Sequence, residues 1–189
     1  SDGQLTADIT VPMTVTAAPT GNTVTILAGT PEYNASAVQA GDTIIIEGDV
    51  NGNRGPLRIV NANGNSGSRI TIRNPTTKRV NVGANGASGY IFELNNSSYV
   101  DIDGSYYSGE TYGLNFTRPT SSSSVTSFVK FTGVVNHVTM RNFEINGKTT
   151  SWVSARTPTG VSAQDKSQLR TSGTWREDYT FENFYVHNL

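Results

Sequence analysis

Gly41-Asp42-Thr43-Ile44-Ile45-Ile46 is the stretch on which the fold turns. It is one copy of a short block that keeps returning. Four or five residues alternate between apolar and polar, close on Asn or Gly, and the chain then bends. The block recurs at Ile70-Thr71-Ile72-Arg73-Asn74, Ile91-Phe92-Glu93-Leu94-Asn95 and Tyr99-Val100-Asp101-Ile102-Asp103-Gly104. It comes again at Phe128-Val129-Lys130-Phe131-Thr132-Gly133 and Phe143-Glu144-Ile145-Asn146-Gly147. Self-similarity with a period of roughly 20–50 residues is the signature of a solenoid or an array.

Working outward, the blocks at Ile70, Ile91 and Leu114 start 21 and 23 residues apart, with a further strand in each interval, such as Val80-Asn81-Val82. That predicts coils of roughly 20–25 residues, each of two or three short strands with bends between them. Stacked coils make parallel sheets with inward side chains in ladders. Asn74, Asn95, Asn96, Asn142 and Asn146 sit at the bends. Asn tolerates left-handed backbone, and equivalent amides can bond from coil to coil.

Toward the N-terminus, residues 5–27 alternate and read as two or three strands broken at Pro12, Pro19 and Gly21-Asn22. Residues 31–40 predict one short helix, with Asn34 as N-cap, Ala35, Ala37 and Val38 inside, and Gly41 as the stop. Residues 1–30 thus read as an N-terminal β segment or cap, and 31–189 as coils. Two polar stretches interrupt the coils, at about 117–127 and 148–178. The second holds Trp152, Arg170, Trp175 and Arg176 among others, and long loops on a rigid scaffold carry function. The block from Tyr179 to Leu189 is a strong strand with no polar cap after it, so the coils are expected to continue beyond Leu189 or to be covered there.

Composition narrows the partners. The net charge is −1, from 14 basic and 15 acidic residues, which gives no field for drawing in nucleic acid. Charged residues are only 15 %, below the usual quarter, with 18 Asn and many Ser, Thr and Gly instead. Such a surface suits work outside the cell or on glycans. The chain has no Cys, so disulfides, thiolate metal sites and a Cys nucleophile are excluded. No apolar run approaches the roughly 20 residues that span a bilayer, so no membrane insertion is expected. Ser1-Asp2-Gly3 carries no leader pattern, which fits a signal peptide already removed.

Ala35 to Gly41 leading into Asp42-Thr43-Ile44-Ile45-Ile46, together with Gly55-Pro56-Leu57-Arg58-Ile59 and Gly67-Ser68-Arg69-Ile70-Thr71-Ile72-Arg73-Asn74, resembles the opening coils of the right-handed parallel β-helix of the pectate-lyase-like superfamily. The resemblance covers about residues 31–147 and 179–189. It implies an all-β fold, a right-handed parallel β-helix with an N-terminal strand-and-short-helix cap, in a secreted or cell-surface bacterial protein. It implies no single activity, because unrelated functions share the scaffold.

A lyase on this scaffold needs a base and a cation, or Ca²⁺ held by carboxylates. Lys130, His137 and Arg141 are the candidates, with solvated surface as the plain alternative. Lys130 is expected to point outward between Val129 and Phe131, and His137 and Arg141 to share a face. Asp101 and Asp103 alternate with Ile102, are expected to face outward about 7 Å apart, and are candidate Ca²⁺ ligands if Glu93 or Glu110 joins them. Ca²⁺ is the one cofactor the residues raise. Tyr106, Tyr107 and Tyr112, with Trp152, Trp175, Arg170 and Arg176, are candidates for stacking on and holding a sugar.

Three functions follow as expectations. The first is a non-catalytic scaffold that binds a polysaccharide or cell-surface glycan, or mediates adhesion. The second is the N-terminal part of a polysaccharide lyase or glycoside hydrolase. The third is a filament subunit associating end to end.

Overall fold

A computed structural model describes residues 21–86, 89–119, 127–147 and 178–187, and the backbone of 159–163. The protein there is all-β, with twelve strands in one open sheet whose strand pairings are all parallel. Three ladders make up the sheet. Face one stacks β1 (Thr23–Ile26), β3 (Thr43–Ile46), β6 (Ile70–Arg73), the end of β8 (Tyr90–Asp103), the middle of β10 (Ser127–Asn146) and the start of β12 (Tyr179–His187). Face two stacks β4 (Asn53–Arg54), β7 (Val80–Val82), β9 (Leu114–Thr117), the end of β10 and the end of β12. Face three stacks β2 (Glu32–Asn34), β5 (Leu57–Val60), the start of β8, the start of β10 and β11 (Thr159–Ala163). From β3 onward the chain visits faces one, two and three in turn, which is compatible with a solenoid.

The expected period was too short. Thr43, Thr71, Asp101 and Thr139 are successive partners on face one, 28, 30 and 38 residues apart. Ile70, Ile91 and Leu114 belong to three different faces, so their spacing measures the step between faces.

Alternation sends one side of each strand inward. Ile44, Ile72, Ile102 and Met140 stack on face one, Leu57, Phe92 and Val129 on face three, and Val82, Phe116 and Ile145 on face two, all fully buried. Aromatic rings bridge coils, Phe92 to Phe116 at 5.5 Å and Phe116 to Phe143 at 6.0 Å. Among the described residues one inward position holds a charge. Arg54 lies in the row of Val82 and Phe116, is 1 % exposed, and donates to the carbonyls of Thr30 (2.7 Å) and Glu47 (3.2 Å). Burial pushes its guanidinium down to about 10, so it stays charged at neutral pH. At the other end the inward side chains of β12 are open: Phe184 is 48 % and Val186 37 % exposed, against full burial of their partners Phe143 and Ile145.

No helix occurs among the described residues, and none there is long and apolar enough to cross a membrane. The helix expected over 31–40 is a strand followed by turns. The Ala35 amide donates to Val60 across the ladder, Asn34 Oδ1 accepts from the Ser36 amide two residues on, and Asp42 accepts from the amides of Gln39 and Asn22. The amides of Ala35, Ser36 and Gln39 are thus committed to partners outside a helical ladder. Thr23–Ile26 forms a strand as read, while residues 5–20 lie outside the described residues. The 148–178 stretch, read as a long loop, contributes β11.

Left-handed residues make the corners. Asn61, Asn96 and Gly133 stack where face three passes toward face one, and Tyr99, His137 and Asp178 stack just before face one. Asn142 and Asn183 do the same between faces one and two. At Gly133, with φ +64°, a Cβ would lie 2.0 Å from Asn96 Oδ1. Asn96 and Asn142 are thus bend residues as expected, and Asn183 donates to Asn142 (2.6 Å), which donates to Asp103 (2.8 Å). Among the described residues the longest amide ladder is elsewhere, on the outer side of face two: Asn115 donates to Asn81 (2.9 Å), which donates to Asn53 (3.0 Å).

Outward charges alternate in sign from coil to coil. Glu32, Arg58, Glu93 and Lys130 form one row on face three, and Arg73, Asp103, Arg141 and Glu182 another on face one.

Candidate functional site

The loop 104–113, between faces one and two, carries Tyr106, Tyr107 and Tyr112. Its neck is pinched shut, with the Gly113 amide donating to the Gly104 carbonyl at 2.8 Å. Both neck positions need glycine, because a Cβ would meet backbone oxygen at 2.0 Å from Gly104 and 2.2 Å from Gly113. The segment between them is pushed out of the coil and turns its tyrosines to the outer surface, the behaviour of a compact protruding loop.

Tyr106, 40 % exposed, has the Arg73 guanidinium over its ring at 4.4 Å. Arg73 also donates to the Asn74 carbonyl (3.0 Å) and has no carboxylate within ion-pair distance among the described residues. Tyr107 packs its ring over Gly109. Tyr112 stacks on Tyr185 of β12 (6.4 Å, 15°), and Tyr185, 52 % exposed, stacks on His187 (4.6 Å).

A polar chain runs beside these rings. Arg79, just before β7, bonds Glu144 of β10 and lies 3.7 Å from Glu110 of the loop. The other Glu144 oxygen meets His187 Nε2 at 2.5 Å. Glu144 is buried, and a carboxylate there is tolerable only because two partners compensate it. Asn115, 3 % exposed on the neighbouring strand β9, keeps a buried Oδ1 without a hydrogen-bond partner, as does Arg79 at Nε.

The expected catalytic residues do not converge. Lys130 is half-buried in the outward row of face three. His137 sits at a left-handed corner, stacked on Tyr99 (4.3 Å), with Nδ1 2.9 Å from Asp178. Arg141 donates from Nε to Asp103 at 2.8 Å, which raises its pKa. The corner at His137 gives the two side chains separate partners.

The expected carboxylate pair keeps its outward phase, alternating with buried Ile102, and each member has a cationic partner. Asp101 is held by Arg69 at 2.7 Å. Asp103 is 4 % exposed and accepts from Arg141, Asn142 and the Ser105 amide. Glu93 is buried on face three with Arg58, and Glu110 faces Arg79. Each of these four carboxylates is thus paired with an arginine. Trp152, Trp175, Arg170 and Arg176 lie outside the described residues.

Arg73, Arg79, Glu144, Tyr185 and His187 were missed by the sequence reading. Their signal was outward phase: Glu144 alternates with Phe143 and Ile145, and Tyr185 and His187 flank Val186. Their meeting with the loop is tertiary. No family model, curated protein or solved structure matches this chain.

Proposed function

We propose that the chain is a right-handed parallel β-helix of the pectate-lyase-like kind, acting outside the cell as a non-catalytic scaffold that binds glycan along the ridge at loop 104–113. The observation that carries the reading is the ring set. Tyr106 and Tyr185 stand on the outer surface, with Tyr112 stacked on the second, beside the polar chain Arg79, Glu144 and His187. Sugar rings offer apolar faces to aromatics and hydroxyls to such polar groups, and tyrosine gives contact area with little lost rotamer freedom. The cyclic strand order and the low charge support the scaffold part.

Glycan-array binding of the full chain is the test. Retention of one or more polysaccharides, weakened about tenfold or more by Tyr112→Ala, is expected, since losing one aromatic contact costs on the order of 1–2 kcal/mol. A silent array sinks the reading. Ultraviolet absorbance of unsaturated product from alginate, pectate or chondroitin would instead point to a lyase.

A further inference from the structure

Resting on the glycan reading, we infer that the ridge takes an internal stretch of an extended polysaccharide, laid across the strands, rather than a terminal sugar. Tyr106 lies on Arg73 of β6, whereas Tyr112 lies on Tyr185 of β12. In the stack β8 and β10 lie between these strands, Arg73 ending face one and Tyr185 lying on face two. The strands beneath the two aromatic stations are therefore three spacings apart along the stack, roughly 14 Å. A single sugar cannot touch both.

The intervening strands are equipped for the middle of such a ligand. Arg79 and Glu144 bridge coils beneath the path, and the buried Asn115 Oδ1 and Arg79 Nε still lack partners. Buried polar atoms of that kind are ordinarily satisfied, by protein, water or ligand. Arg73, with no carboxylate partner among the described residues, leaves positive charge at one station. A path along the strands, by contrast, would meet only one station.

Oligosaccharide ladders cut from alginate, polygalacturonate and chondroitin, from the monosaccharide upward, test the path by calorimetry on the full chain. Affinity is expected to climb roughly 100-fold once the oligomer reaches both stations, the gain from linking two contacts. Tyr106→Ala and Tyr185→Ala should each flatten that climb. Both residues are well exposed, so neither change opens the core. A monosaccharide that binds as tightly as the longest oligomer overturns the lengthwise path and leaves glycan binding standing. Absence of binding at every length, together with a silent array, removes both.

Discussion

Asp103 shows how one side chain can fix a corner. Burial alone would raise its pKa, but hydrogen bonds from Asn142, Arg141 and Ser105 outweigh it and hold the carboxyl below its ordinary value. The unfolded chain titrates near 3.9. A carboxylate lowered on folding contributes stability above that pH, and the contribution fades as pH falls through the lower folded value. Asp103→Asn should therefore lose on the order of 1–3 kcal/mol at neutral pH, the range for charge-assisted hydrogen bonds. It should also show a shallower acid limb below about pH 4. Urea titrations of both proteins at neutral and acid pH measure this, and identical acid limbs would remove the residue from the account.

Among elements, the amide ladder of face two makes the sharpest claim. Asn81 accepts from Asn115 and donates to Asn53. Asn81→Ala strands both neighbours, one of them buried, and should cost roughly 1–3 kcal/mol, whereas Asn53→Ala breaks one bond at the end and should cost roughly 0.5–1.5 kcal/mol. Equal losses in urea unfolding would mean the ladder is not read coil to coil. Strand type and parallel stacking were legible because alternation is local: Ile70 to Arg73 declares its phase by itself. The period was not, because a block shows that it is a strand and not on which of three faces it lies. The helix was misread because alanine propensity is weak beside the ladder bond from Ala35 to Val60. For the ridge, three tyrosines could be named from the sequence. Arg73 and Tyr185 join them through contacts 33 and 73 residues away in the chain, which no local pattern encodes.

At the scale of the whole molecule, stability is a sum over neighbours, as in any stacked array. The β5 coil is covered on both sides, with Leu57 and Ile59 fully buried, while Phe184, Tyr185 and Val186 of β12 are exposed. Hydrogen exchange should give lower opening free energies for β12 amides than for those of β5 and β8. Uniform protection would show one cooperative unit instead.

The alternating charge rows carry a consequence for how such a chain can change length over generations. Remove the coil bearing Glu93 and Asp103, and Arg58 would face Lys130 while Arg73 faced Arg141. Duplicate it, and carboxylate would meet carboxylate on two faces at once, an arrangement that destabilises a sheet. Genetic gain or loss of coils is therefore expected to be tolerated best in pairs, a parity written into the charge rows.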